Sequence, residues 1–110
     1  MRKARTFSSQ TQEAVRVLGL EIARARRSRR WTQEELAERA GISDGTLRSI
    51  ERGSVTASIG VVFELASLLG IPLFGAERDE LPALMAQSRD RLALLPARVR
   101  SRPSRVEDDF

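Results

Sequence analysis

The feature that most constrains this chain is a pair of short capped segments with almost no chain between them. Thr32-Gln33-Glu34-Glu35 has the spacing of a capping box, in which the threonine hydroxyl caps the helix start and the glutamate reaches back. The helix it opens runs to about Ala40, and Gly41 ends it, because glycine takes the left-handed conformation that a sharp exit requires. Only Gly41 and Ile42 separate that stop from a new cap at Ser43. A second short helix follows, Asp44 to Arg52, and Gly53 ends it. Two helices this short, joined by so tight a corner, cannot lie antiparallel and must cross at a steep angle.

The flanking sequence supplies the scaffold. Val15, Leu18, Ile22 and Ala25 follow a three-or-four spacing that predicts a helix from Thr11 to Arg30. After a loop from Ser54 to Ala57, Ser58 is placed to cap a further helix with apolar residues Ile59, Val62, Phe63, Leu65, Ala66 and Leu69. Gly70 stops it, Ile71 to Phe74 docks as a short turn, and the core closes at about residue 75. Pro82, acceptable at a first helical position, opens a last helix to Leu95, and Pro96 ends it. Residues 1–10 read as a flexible basic arm, 11–75 as the main domain, 76–95 as an extra helix and 96–110 as a disordered tail.

Composition narrows the chemistry. The chain holds no cysteine and no histidine, which removes disulfides, thiolate metal sites and the usual general base. Glu34, Glu35 and Glu38 share a helix face with no nucleophile, ligand cluster or phosphate loop nearby, so no catalytic residue, metal or cofactor is expected. No apolar run reaches the length of a membrane span, which points to a soluble, cytoplasmic protein. The net charge of +4 is carried entirely by the N-terminal half. Nearly all of the basic residues are arginine, which grips phosphate and guanine edges with paired donors. Of these, Arg24, Arg27, Arg29 and Arg30 either line phosphates or form a solvated face.

The stretch from Leu18 to Phe74 resembles the XRE, or Cro/CI-type, helix-turn-helix family. The matching residues are Trp31-Thr32-Gln33-Glu34-Glu35-Leu36-Ala37, Gly41-Ile42-Ser43 and Thr46-Leu47-Arg48-Ser49-Ile50-Glu51-Arg52-Gly53. The resemblance implies an all-α, lambda-repressor-like bundle of about five helices, here with an extra C-terminal helix. It also implies double-stranded DNA as partner and a sequence-specific regulator, a repressor, working through the major groove. Base edges would be read from Asp44, Gly45, Thr46 and Ser49, with Arg48 flanking them. Arg26 would form a fold-locking ion pair with Glu51. Physical placement adds Gln33 and Ser43, each at a helix N-terminus where free N–H groups can clamp a phosphate, and Arg52 at the end of the reading helix. Leu36, Ile42, Leu47 and Ile50 are assigned inward, Ala37 is small where two helices touch, and Trp31 is assigned to core packing.

Such domains bind two-fold half-sites as dimers. The face Leu81, Leu84, Met85, Leu92 and Leu95 is the candidate dimerisation surface. The region beyond residue 75 and the tail ending Arg105-Val106-Glu107-Asp108-Asp109-Phe110 look like HipB-type antitoxins. That weaker resemblance implies an alternative task, binding a HipA-type kinase toxin and autoregulating the operon.

Overall fold

In a computed structural model, residues 6–101 can be described, and among them five α-helices and no strand are present. They are α1 (Ser9–Ser28), α2 (Gln33–Ala40), α3 (Asp44–Glu51), α4 (Ile59–Leu69) and α5 (Leu81–Ala93), with a 3-10 turn at Arg78–Glu80. None of these helices is long and apolar enough to cross a membrane. The chain divides into two compact units, Met1–Arg78 and Asp79–Phe110.

In the first unit the local signals act as their chemistry demands. Thr32 Oγ1 accepts from the Glu35 N–H at 3.0 Å while the Thr32 N–H donates to Glu35 Oε1 at 2.8 Å, so the capping box closes in both directions. Gly41, at φ 72°, turns the chain out of α2, and the Ile42 N–H returns to the Ala37 carbonyl at 3.0 Å. Ser43 Oγ then accepts from the Thr46 N–H at 3.0 Å, starting α3 at once. A cap of this kind stabilises a helix by about 1 kcal/mol.

The core is aliphatic. Ile22, Leu36, Leu47 and Leu65 are fully buried, one from each of the first four helices, and Ala25, Ala37, Ile50, Val62 and Leu69 complete the cluster. Leu18, Trp31 and Ile42 pack against it half-buried. Helix α3 packs on α1 and α2, and α4 packs on the same two helices, so the inward assignments of Leu36, Leu47 and Ile50 hold.

Several boundaries differ from expectation, each for a local reason. Helix α1 begins at Ser9, because Ser8 caps it through the Thr11 N–H, which takes Ser9 and Gln10 out of the expected arm. It also ends at Ser28, earlier than Arg30. Arg30 is left-handed at φ 59°, and the Trp31 N–H bonds back to the Arg26 carbonyl at 3.1 Å. Ser58 occupies the cap position of α4 but makes no capping hydrogen bond with its side chain. Ile59 and Phe63, grouped with the apolar face of α4, are exposed at 71% and 36%, whereas Val62, Leu65, Ala66 and Leu69 are buried. In the second unit α5 ends at Ala93, so Leu95 falls in the turn that follows, its N–H bonded to the Leu92 carbonyl at 3.1 Å. Residues 1–5 of the arm and the acidic-aromatic stretch Arg105 to Phe110 lie outside the described residues.

Candidate nucleic-acid interface

Helix α3 divides its residues cleanly. Leu47, Ile50 and Glu51 are buried, while Gly45, Thr46 and Arg48 are exposed and Asp44 and Ser49 are half-buried. The five residues assigned to base contact are therefore all at least partly open to solvent. Thr46 is held in place, since its hydroxyl accepts from Ser43 Oγ at 2.9 Å. A side chain added at Gly45 would meet nothing nearer than Arg48 Nη2 and Ser43 Oγ, both at 3.9 Å, so the monomer does not require glycine there. A helical glycine with no neighbour to accommodate costs stability. It leaves bare backbone on a surface where something outside the monomer can approach closely.

The scaffold holds α3 by a buried ion pair. Arg26 Nε lies 2.8 Å from Glu51 Oε2 and its Nη2 lies 3.1 Å from Oε1, a two-pronged contact with both residues 7% exposed. The third guanidinium nitrogen donates to the Trp31 carbonyl at 2.9 Å. Gln33 Nε2 also donates to Glu51 Oε1, at 3.0 Å, so one carboxylate ties α1, α2 and α3 together. Among the described residues no buried side-chain nitrogen or oxygen lacks a partner. Because an ionised carboxylate only accepts, it forces the Gln33 amide to face it with nitrogen, which leaves the second N–H of that amide to other partners.

The arginines of α1 separate into distinct roles. Arg29, exposed and just past the end of α1, donates through Nη2 to the Leu69 carbonyl at 2.8 Å, satisfying an orphan acceptor at the end of α4. It also sits 5.4 Å from the Trp31 ring centroid, with Arg39 at 4.2 Å, so Trp31 is enclosed by cations and packed on the core. Arg24 binds Glu21 at 2.9 Å on the exposed side of α1. That hydrogen bond, with the charge behind it, holds the Glu21 carboxyl below its ordinary range.

A helix-turn-helix family model matches residues 22–75, from the middle of α1 through α4 and the turn that closes the core. Over 56 residues the chain is 39% identical to an uncharacterized HTH-type transcriptional regulator, y4dJ, of Sinorhizobium fredii, covering 51% of this chain and 73% of that protein. The chain belongs to the XRE-type helix-turn-helix family. No solved structure gives a significant match.

The tertiary structure places further residues beside the outward face of α3 that periodicity could not supply. Thr46 and Ser49 of α3 line a groove of about 260 Å³ together with Ser54, Thr56 and Ser58 from the loop before α4. The clustering of hydroxyls at 54–58 was visible in the sequence, but a loop without periodicity gave no direction to them. Arg16 is a second addition. Its Nη1 lies 3.4 Å from the Glu51 carbonyl, and it lines one cavity with Arg52 at the exit of α3. Gln33 and Ser43 stand at the starts of α2 and α3 as expected, but each already spends part of its polar group within the protein, on Glu51 and Thr46 respectively.

Proposed function

We propose that this helix-turn-helix protein is a sequence-specific DNA-binding transcriptional regulator, a repressor that inserts α3 into the major groove and binds as a dimer. The observation that carries the reading is the outward edge Asp44, Gly45, Thr46, Arg48 and Ser49, exposed or half-exposed on a helix whose other face is locked into the core. Arg48 donates to base edges, with guanine O6 and N7 its best match, and Asp44 accepts from cytosine N4. Gly45 lets the helix backbone come close, and Thr46 and Ser49 offer hydroxyls. The second Gln33 N–H, the start of α3 at Ser43 and the exposed Arg52 hold phosphates and fix the register.

The second unit supports the dimer. Leu81, Leu84, Met85 and Leu92 recur at three-and-four spacing along α5, and Leu95 continues the row into the next turn. Leu81 and Leu84 are half-buried, and Met85, Leu92 and Leu95 are exposed. A row of this kind buries itself against another copy. A cytoplasmic location follows from the DNA-bound task.

The test is selection of duplexes from random sequence by the full chain, followed by gel shift on the winners. A recovered consensus with salt-sensitive binding is expected, and Arg48→Ala should weaken it while leaving the circular dichroism of the fold unchanged. Binding with no sequence preference, or an Arg48→Ala variant that binds the consensus as well as the parent, would remove the major-groove assignment.

A further inference from the structure

Arg16 of α1 and Arg52 at the exit of α3 line one cavity of about 700 Å³. Gly53 brings them together. At φ 90° it turns the chain out of α3, and it lies so close to α1 that a Cβ there would stand 3.1 Å from Arg16 Cα. Both arginines are exposed. Arg16 makes only the long contact of 3.4 Å with the Glu51 carbonyl, and Arg52 has no hydrogen-bond or ion-pair partner among the described residues. No carboxylate lines the cavity. That of Glu51, next in the chain to Arg52, is committed to Arg26 and Gln33. The other walls are of two kinds: Thr6 and Gln12 offer a hydroxyl and an amide, whereas Phe7 and Val55, both half-buried, offer apolar surface. Gln12 Nε2 donates to the Phe7 carbonyl at 2.9 Å, which ties the apolar wall to α1.

We propose that this cavity binds a small organic phosphate, with its oxygens on Arg16 and Arg52 and its apolar body against Phe7 and Val55, and that the bound anion loosens DNA by withdrawing Arg52 from the backbone. The effect on DNA rests on the phosphate role given to Arg52 above; the occupancy of the cavity does not. Charge supports the site. Two like charges in one cavity with no counter-charge in its walls repel each other, and a phosphate monoester, which is close to a dianion at neutral pH, satisfies both. Guanidinium groups match phosphate oxygens with paired donors. Size and lining favour a small molecule over the DNA backbone. Small-molecule sites hold roughly 300–1,000 Å³, a single backbone phosphate fills little of that, and it has no use for Phe7 and Val55. Position gives the consequence. Asp44 to Ser49 occupy the start and middle of α3, and Arg52 stands at its far end, about 12 Å along the axis from Asp44. A ligand there leaves the base-reading residues uncovered and acts through Arg52.

The experiment titrates the full, nitrogen-15-labelled chain with inorganic phosphate and with phenyl phosphate, chloride holding the ionic strength constant. Saturating amide shifts centred on Arg16, Gly53 and Ser54 are expected, with phenyl phosphate the tighter of the two. Arg16→Met keeps the stem against Gly53 and removes the charge, and should weaken binding roughly tenfold, the scale of one charge-assisted hydrogen bond. Thr6→Glu, at an exposed position of the wall, supplies a carboxylate from within and should abolish binding. Both variants should keep the parent's circular dichroism. In gel shifts on the selected duplex at about 0.15 M salt, saturating phenyl phosphate should weaken the parent roughly fivefold, the value of one phosphate contact. Arg16→Met should bind that duplex as the parent does and ignore the added anion. Shifts spread evenly over Arg27, Arg30 and Arg39 would show a diffuse ion atmosphere and overturn the site, as would no saturable shift at all. An anion that binds without loosening the duplex overturns its action on Arg52. If Arg16→Met alone weakens DNA binding and lowers the salt slope by about 1, a backbone phosphate occupies the cavity and the small-molecule assignment falls. A parent with no sequence-specific duplex binding would sink the major-groove reading, while the titration would still decide the cavity.

Discussion

Gly45 and Arg26 show how single positions divide between the open surface and the fold. Gly45 has no packing reason to be glycine, so Gly45→Ala should raise the stability of the unit by about 0.5–1 kcal/mol. If bases approach that backbone, the same change should weaken specific binding roughly tenfold, the loss of about one groove contact. Thermal melts and gel shifts on one preparation read both effects, and a variant that gains in both would remove Gly45 from the interface. Arg26 is the opposite case. Its guanidinium is buried on Glu51 and the Trp31 carbonyl, so Arg26→Met strands a carboxylate in the core and should cost about 3–5 kcal/mol in urea unfolding. Replacing both partners, Arg26→Met with Glu51→Leu, should recover most of that loss. A single variant as stable as the parent would show that the pair is not what locks α1 to α3.

At the scale of the elements, the junction between α1 and α3 depends on a glycine that sequence patterning passes over. Gly19 lies mid-helix, where alanine is ordinarily better by about 1 kcal/mol. A Cβ there would come 2.5 Å from the Ile50 carbonyl oxygen and 2.7 Å from that of Glu51. Those are backbone atoms of α3 and cannot step aside as a side chain would. Gly19→Ala should therefore destabilise the unit by roughly 1–3 kcal/mol despite its better propensity, as a lower urea midpoint would show. An unchanged or higher midpoint would mean that α1 and α3 can separate freely. The helix-turn-helix itself was legible in advance, because Thr32, Glu35, Gly41 and Ser43 act on backbone a few residues away. The end of α1 was not. Arg30 adopts a conformation usually left to glycine, and what fixes it is the return of the Trp31 N–H to Arg26.

For the whole molecule, the proposed dimer depends on the α5 row, Leu81, Leu84, Met85 and Leu92. Leu84→Asp should convert a dimer to a monomer in sedimentation equilibrium while leaving single half-site binding intact; a dimer of unchanged mass would take α5 out of the association. Read alone, the sequence determined the order of the helices, the caps at Thr32 and Ser43, the tight corner at Gly41-Ile42 and which face of α3 turns inward. Those are consequences of spacing and of short-range hydrogen bonds. Only the tertiary structure decided that Arg29 serves the end of α4, that Gln33 leans on Glu51, that Gly19 admits α3, and that Phe63 and Phe74 pair edge to face. Each of these depends on which distant segments come within a few ångströms of one another, and that distance is set by how the helices pack, for which no local pattern carries a signal.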